Sequence, residues 1–178
     1  MRTIIAFTGP KGCGKSTAAK CLIDDFGYER HYFAKPLKEM IKCLGLDERH
    51  VNGDLKETSC DELGGQTPRW AMQTLGTEWG RELIHPELWV NAWKNTLPKS
   101  DIVCDDLRFP NEFKILKEVQ GIVIDIVRPG FERDQSHESE AHSLPFDYQI
   151  TNDGTTNDLC KKIKDIIYSF SERKVPRR

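Results

Sequence analysis

Eight residues near the start of the chain, Gly9–Ser16, constrain the fold more than any other stretch. They read Gly-Pro-Lys-Gly-Cys-Gly-Lys-Ser and match the phosphate-binding pattern G-x-x-x-x-G-K-[ST] at every specified position. The residues before them, 3–7, predict a short buried strand, and residues 17–26 carry apolar side chains at helical spacing. The pattern requires this context, in which a strand is followed by a glycine-rich turn and a helix.

The residue types of this loop indicate how it binds phosphate. Glycines allow backbone angles at which successive N–H groups turn inward around an anion, at the positive end of the following helix. Lys15 is expected to reach the β- and γ-phosphates, and the Ser16 hydroxyl to ligate the Mg²⁺ that bridges them. The nucleotide-binding candidates are Gly12, Cys13, Gly14, Lys15, Ser16 and Thr17. The alternative is a glycine-rich turn that binds no ligand.

Charge and composition favour a nucleotide over a polymer as ligand. The 178 residues carry 26 basic and 28 acidic side chains, a formal net charge of -2, which gives no basic surface for duplex nucleic acid. The length predicts one domain over residues 1–178. The longest apolar run is too short for a bilayer and the N-terminus leads directly into a strand, so a soluble, cytoplasmic protein is expected.

The cysteines show no pattern of their own. Six are scattered along the chain, without a C-x-x-C pair or a histidine at zinc spacing. This predicts a reducing compartment, no bound metal at these residues and no disulfide.

Strand and helix patterns alternate along the rest of the chain. Strands are predicted at 29–33, 102–104, 122–127 and 148–150, and helices begin at Pro36, Pro68, Pro86 and Pro110, before a last helix with Leu159 and Ile163 on its buried face. Residues 47–66 are polar and lack periodicity, which predicts a loop of unassigned role. The alternation indicates an α/β fold.

The helix that begins at Pro68 carries a candidate binding face. Arg69, Gln73 and Thr77 recur at i, i+4 and i+8, so one face would present a guanidinium, an amide and a hydroxyl. A nucleoside monophosphate suits such donors, with an aromatic such as Trp70 or Trp79 to stack on the base. Tryptophan is more often a core residue, which is the alternative for both.

Two lysines open an earlier helix. Lys35 and Lys38 lie at its N-terminal end, where cations oppose the helix dipole unless an anion is near. A substrate phosphate is one such anion. Two solvated lysines on an exposed face are the alternative.

The strand at 102–104 ends in two acids, Asp105 and Asp106. A buried strand that delivers a carboxylate is typical of the Mg²⁺ side of a phosphate loop, and which of the two acids faces the metal is left open. Arg108 follows, placed to contact the phosphoryl group in transfer or the acceptor phosphate. Ordinary surface charge is the alternative.

Two loops remain to be assigned. Residues 128–140 are charged, hinged by Pro129 and Gly130, and of a length suited to a small lid, with Arg128 and Arg133 as closing cations. Near the end of the chain, the turn at Asp153-Gly154 follows a strand. Loops at the carboxyl ends of parallel strands face the ligand, so this turn is expected to border the ATP base.

Several blocks together resemble the bacteriophage deoxynucleoside monophosphate kinases, over nearly the whole chain. They are residues 9–16, 33–38, 67–69, 75–81, 106–112 and 152–155. The phosphate loop is shared by many families. The Gly-Thr-Glu-Trp-Gly-Arg block at 76–81 and the Asp-x-Arg-Phe-Pro-Asn-Glu block at 106–112 are more specific.

The resemblance implies ATP- and Mg²⁺-dependent phosphoryl transfer to a deoxynucleoside monophosphate, on a three-layer nucleotide-kinase-like fold with a parallel sheet of about five strands. It implies an acceptor region at about 35–95, and a lid role for Arg128 and Arg133. Arg108 would lie between donor and acceptor. The doubled acid departs from the family's pattern: the spacing Asp-x-Arg favours Asp106 as the family's Asp, with Asp105 as the candidate metal ligand beside Ser16. The monophosphate site would use Lys35, Lys38, Arg69, Gln73 and Trp79.

Two other functions fit the same residues. One is a phosphate-loop kinase of another small acceptor, such as dephospho-coenzyme A. The other is a nucleotide-binding switch that hydrolyses slowly, although the guanine-reading motif N-K-x-D is absent from the sequence. The expected partners are ATP and the monophosphate, with no nucleic acid and no membrane. If the chain is phage-encoded, the protein is expected in the host cytoplasm. Base range, ribose or deoxyribose preference and a homodimer are left open.

Overall fold

The structure is a computed structural model that describes residues 2–132 and 143–173. The chain divides into two compact units. The sheet unit comprises Met1–His31 and Pro98–Arg178, and the helical unit comprises Tyr32–Leu97.

The elements follow the order that the sequence patterns indicate. The strands are β1 (Ile4–Thr8), β2 (Glu29–Arg30), β3 (Ile102–Cys104), β4 (Ile122–Val127) and β5 (Tyr148–Thr151). The helices are α1 (Lys15–Phe26), α2 (Lys35–Lys42), α3 (Glu48–Val51), α4 (Pro68–Thr74), α5 (Leu88–Asn95), α6 (Pro110–Glu118) and α7 (Thr156–Arg173). Two 3₁₀ turns, at Asp54–Glu57 and Asp61–Leu63, and a π-helix at Leu75–Ile84 complete the described chain.

The sheet unit is built around one parallel sheet in the order β2-β3-β1-β4-β5. Ile5 and Phe7 of β1 pack into the core that α1 and α7 complete. The alternate residue Ile4 meets Leu116 of α6 around Gly121, on the opposite face. A parallel sheet covered on both faces buries nearly continuous apolar strands. The predicted three-layer α/β fold with a five-stranded parallel sheet is confirmed.

Several boundaries differ from the predicted ones. Strand β2 ends at Arg30 rather than at residue 33, and α1 begins at Lys15, two residues earlier than predicted. The prediction of a loop at 47–66 is wrong, because the segment holds α3 and both 3₁₀ turns. The Asp47 carboxylate caps α3 by accepting from the backbone N–H groups of Arg49 and His50. Polar residues that show no apolar periodicity therefore act as helix caps here.

The expectation of no disulfide is also wrong in the structure. Cys21 of α1 and Cys160 of α7 are bonded, with Cα atoms 5.7 Å apart, within the usual range. The two residues are 139 positions apart, so sequence spacing gives no sign of the pair. Both helices pack on the same sheet face, and this brings the thiols together. The bridge ties the helix that follows the phosphate loop to the last helix.

The helical unit has a core of its own, formed by Leu37, Ile41, Leu46, Val51, Met72 and Trp89. The α-helical spacing after Pro68 ends at Thr74, where the π-helix begins, so the expected single α-helical face is wrong beyond that residue. The Trp89 indole Nε1 donates to the Gly76 carbonyl at 2.7 Å, and its ring lies against the Cα of Gly80. In the described part of the chain, no helix has the length and apolarity needed to cross a membrane.

We expect Gly80→Ala to destabilise the helical unit by about 1–3 kcal/mol, the usual cost of overpacking. An added Cβ would stand 2.7 Å from two Trp89 ring atoms, and the ring is fixed by its bond to Gly76. Gly76→Ala is the matched control, since its Cβ would meet only the tip of Leu37 at 3.4 Å. Urea unfolding of both variants checks this, and equal free energies of unfolding would contradict it.

Candidate active site

The phosphate loop has the backbone that its glycines predict. Gly9, Gly12 and Gly14 have φ values of 133°, 80° and 114°, which residues with a side chain rarely adopt. Gly14 is the N-cap of α1 and makes no side-chain cap hydrogen bond. The first N–H groups of a helix need acceptors and lie at its positive end. An anion at this end of α1 would be a suitable acceptor for such groups.

Lys15 folds back over the loop. Its Nζ donates to the carbonyls of Gly9 and Pro10, at 2.7 and 2.6 Å, and lies 3.8 Å from the Cys13 Sγ. Burial raises the pKa of the Cys13 thiol more than Lys15 lowers it, so Cys13 is a neutral neighbour. Ser16 is exposed in the first turn of α1 and Thr17 is half-buried. Lys15, Ser16 and Thr17 thus lie together at the start of α1.

The first residues of the predicted lid touch this loop. The Arg128 Nη1 donates to the Gly12 carbonyl at 3.3 Å, and its guanidinium carbon lies 4.7 Å from the centre of the Phe131 ring. The Phe131 ring in turn covers Gly12, where an added Cβ would come within 2.6 Å of it. Arg133 and the rest of the predicted lid to residue 140 lie outside the described residues.

The chain after β5 also reaches the loop, through a residue that the sequence reasoning missed. The Asn152 Nδ2 donates to the Cys13 carbonyl at 2.8 Å. The predicted Asp153 instead accepts from Lys162 at 2.8 Å, which holds the pKa of its carboxyl below the usual value, and Gly154 is exposed. Asn152 directly follows a parallel strand, and that position was the available signal.

The two acids after β3 have different surroundings. The Asp105 carboxylate accepts from Arg30 Nε and Nη2, both at 2.9 Å, and its side chain is 2% exposed. Asp106 is half-buried and accepts from the Cys104 thiol at 3.2 Å, a group whose pKa is raised by burial. Sequence reasoning missed Arg30, which lies 75 residues away from its partner.

Arg108 is half-buried in the loop that leads into α6. Its backbone N–H donates at 2.9 Å to the Glu112 carboxylate, which is buried and also accepts from the N–H of Phe109. The charged end of the loop is therefore fixed to the start of α6. At the end of β1, the buried Thr8 Oγ1 has no hydrogen-bond partner among the described residues, an arrangement that native proteins usually complete with water or an ion.

In the helical unit, two predicted acceptor cations are held by residues of the 47–66 segment. Arg69 Nε donates to the Glu57 carboxylate, and Lys38 Nζ donates to the Asn52 side-chain oxygen. Lys38 is buried and lies 4.9 Å from the centre of the Tyr32 ring. The segment that looked featureless in the sequence therefore supplies partners for the residues expected to bind phosphate.

The remaining acceptor candidates differ in exposure. Lys35 is exposed, Gln73 is half-buried and Thr77 is buried. Trp79 is 38% exposed and its ring centre lies 6.5 Å from that of the buried Trp89. Exposure leaves Trp79 available to a ligand, whereas the burial of Thr77 gives it a packing environment.

The protein oxygens near the phosphate loop suit a Mg²⁺ ion that is bound mainly through phosphate. Among the described residues, no three His, Cys, Asp or Glu side chains are grouped to hold a metal. Mg²⁺ commonly keeps several waters and takes one or two protein oxygens beside substrate phosphates. An exposed serine hydroxyl next to the loop and a carboxylate at the end of the neighbouring strand are such oxygens.

A parallel sheet with a phosphate loop between its central strand and the following helix defines a P-loop protein. The family profile described as deoxynucleotide monophosphate kinase matches residues 66–163. A "Putative deoxynucleotide monophosphate kinase" of Acanthamoeba polyphaga mimivirus is 32% identical over 95% of this chain and 98% of that protein. A deoxynucleoside-5'-monophosphate kinase of Escherichia phage T5 is 37% identical over 62 residues, which are 33% of this chain and 25% of that protein.

The chain belongs to the deoxynucleotide monophosphate kinase family. The resemblance seen in the sequence is confirmed, and with it the prediction of an enzyme that phosphorylates a nucleoside monophosphate. Both relatives named above are viral.

Solved structures show weaker likenesses. The chain aligns with shikimate kinase from Aquifex aeolicus at a TM-score of 0.47 and 11% identity, over 98% of this chain and 100% of that one. It aligns with dephospho-CoA kinase from Campylobacter jejuni at a TM-score of 0.43 and 15% identity, over the same shares. Likenesses this weak do not support dephospho-coenzyme A as the acceptor.

We expect Asp105→Asn to lower the free energy of unfolding by about 2 kcal/mol, because it leaves the half-buried Arg30 guanidinium without its countercharge. Asp106→Asn should cost much less, since the amide oxygen still accepts from Cys104. Urea titration of the two variants measures the difference. If Asp106→Asn proved equally destabilising, the structural role assigned to the Arg30 pair would be wrong.

Proposed function

We propose that this enzyme transfers the γ-phosphoryl group of ATP, with Mg²⁺, to a deoxynucleoside 5'-monophosphate. The observation that carries the donor assignment is the phosphate loop, with three glycines at positive φ and Lys15 folded onto it. The Gly9 and Pro10 carbonyls hold the Lys15 ammonium less well than a phosphate would, because they carry only partial charge. ATP phosphates would therefore draw Lys15 from the Gly9 and Pro10 carbonyls.

Charge placement is the main task of the sheet unit. When bound, Mg²⁺ supplies neutralisation of the charge on the transferring phosphates. Ser16 and one of the two acids after β3 would hold it. Because Arg30 binds both oxygens of Asp105, we assign the metal side to Asp106, while the sequence-based choice of Asp105 stays a prediction. Arg108, Arg128 and Arg133 are assigned to the phosphoryl group and the lid. No covalent enzyme intermediate is required.

The helical unit is assigned to the acceptor. Arg69 and Lys38 bring positive charge to the α2 and α4 helices, and the exposed Trp79 offers a ring for the base. Lys35, Gln73 and Thr77 complete the proposed acceptor set. The carboxylate of Glu57 stands at Arg69 in the place that an acceptor phosphate would take.

An acceptor panel tests the proposed reaction. We expect deoxynucleoside monophosphates to stimulate Mg²⁺-dependent ADP release, in an assay that also offers their ribose forms and dephospho-coenzyme A. Lys15→Ala should lower kcat at least about 100-fold without changing Tm, since Lys15 places charge and fills no core. Lys20→Ala is the control, an exposed lysine on the same helix paired with Asp24.

The outcomes of the panel separate the candidates. ADP release that no acceptor stimulates would favour the slow switch, and stimulation by dephospho-coenzyme A alone would favour the other kinase. A Lys15→Ala variant with near-normal kcat would remove the phosphate-loop assignment.

Glu57 and Arg69 are expected to act in opposite directions on the acceptor. Arg69→Ala should raise KM for the monophosphate about tenfold or more and leave KM for ATP nearly unchanged, because a phosphate contact is lost. Glu57→Gln should lower the same KM about threefold, because it removes a competing carboxylate. Asp54→Asn is the matched control, with the same change in charge in the same 3₁₀ turn and a partner, Arg49, outside the acceptor set.

Steady-state kinetics with each substrate varied in turn measures these effects. Equal changes in the two KM values for Arg69→Ala would take Arg69 out of the acceptor site. A monophosphate KM that rises in Glu57→Gln would mean that Glu57 orders Arg69 and does not compete with the substrate.

A further inference from the structure

A side chain outside the phosphate loop fixes one of its peptide groups. The Asn152 amide donates to the Cys13 carbonyl at 2.8 Å, and only the NH₂ end of an amide can face a carbonyl oxygen. The backbone of Asn152 is itself fixed, since its N–H donates to the Val127 carbonyl at the end of β4. The donor therefore stands on the rigid edge of the sheet.

The position of that carbonyl sets the direction of a backbone N–H group that can donate to a phosphate. The Cys13 carbonyl and the Gly14 N–H belong to one planar trans peptide group, so they point in opposite directions. Holding the oxygen on Asn152 turns the Gly14 N–H away from Asn152. Gly14 is the N-cap of α1, at the positive end of the helix, where an N–H directed at a phosphate counts most.

Packing around Gly14 fits this contact closely. An added Cβ at Gly14 would stand 2.6 Å from the Asn152 Nδ2 and 3.2 Å from the Leu159 Cδ2 of α7. The glycine at this position therefore has two causes, the φ of 114° and the close approach of the amide. Asn152 and Leu159 therefore both lie close to the Gly14 end of the loop.

Charge distinguishes Asn152 from the other side chains that hold the loop. Lys15 and Arg128 donate to the carbonyls of Gly9, Pro10 and Gly12, and a bound polyphosphate attracts both cations away from these carbonyls. The neutral amide of Asn152 has no such competitor. It can hold its carbonyl in both the free and the nucleotide-bound enzyme.

We infer that Asn152 is a positioning residue for the nucleotide, which orients the Cys13–Gly14 peptide so that the Gly14 N–H faces the phosphates of ATP. The inference rests on the proposed ATP site. It assigns Asn152 to the ATP site and gives it no role in the monophosphate site.

Two substitutions and one control test this in the full-length enzyme. Asn152→Ala removes the donor, and Asn152→Asp keeps the shape but sets a carboxylate against the Cys13 carbonyl. We expect KM for ATP and the Kd for ADP to rise about tenfold in Asn152→Ala, the value of one hydrogen bond, and further in Asn152→Asp. KM for the monophosphate and the Tm should change little. Asn157→Ala, at an exposed position in the first turn of α7, should behave as wild type.

Titration calorimetry with ADP gives a readout that does not depend on the acceptor. A wild-type enzyme that binds ADP but phosphorylates no monophosphate would overturn the proposed function and leave Asn152 open to the same binding test. If ADP binds Asn152→Ala and Asn152→Asp as tightly as wild type, the positioning role is wrong. It is equally wrong if Tm and both KM values shift together, since that is the pattern of a purely structural residue.

Discussion

A row of backbone N–H groups can face a phosphate only when the carbonyls of the same peptides point away from it, and the phosphate loop depends on this constraint. In this protein the outward carbonyls accept from Lys15, Arg128 and Asn152. Arg128 follows β4 and Asn152 follows β5. The strand order β1-β4-β5 places the ends of these parallel strands at one edge, so the sheet topology supplies the side chains that shape the loop.

The acceptor role that we propose for the helical unit is subject to a related constraint. Cations that wait for an anionic substrate are costly where they are partly buried, unless polar groups satisfy them in the meantime. Arg69 and Lys38 are satisfied by Glu57 and Asn52, both from the 47–66 segment. The segment is polar, so it shows no apolar periodicity in the sequence. The same polarity supplies the groups that accept from Arg69 and Lys38. If Arg69 binds the acceptor phosphate as proposed, that phosphate has to displace the Glu57 carboxylate.

The sequence predicts the parts of this molecule that are determined locally. The loop at Gly9–Ser16, the buried strands around it and the helices at Pro36, Pro68 and Pro110 each depend on residues within one or two turns of each other, and the structure contains all of them. The helix predicted to begin at Pro86 begins two residues later, at Leu88. Sequence patterns do not show contacts between residues that are far apart in the chain. Arg30 and Asp105 are 75 positions apart, and Cys13 and Asn152 are 139 apart. The π-helix was missed because its spacing resembles that of an α-helix over a single turn.

The doubled acid after β3 shows how strand geometry separates two adjacent and chemically identical residues. Both acids follow the last residue of β3, Cys104, and their side chains have different partners. Asp106 shares its side with Cys104, whose thiol it accepts, and Cys104 pairs in register with Ala6, two residues before Thr8 on the same face of β1. Asp105 turns the other way, to Arg30 of the neighbouring chain segment in β2. One acid therefore joins two strands of the sheet, while the other accepts from the residue that ends its own strand. Both oxygens of Asp105 accept from Arg30, and this is the reason to propose Asp106 for the metal side of the loop.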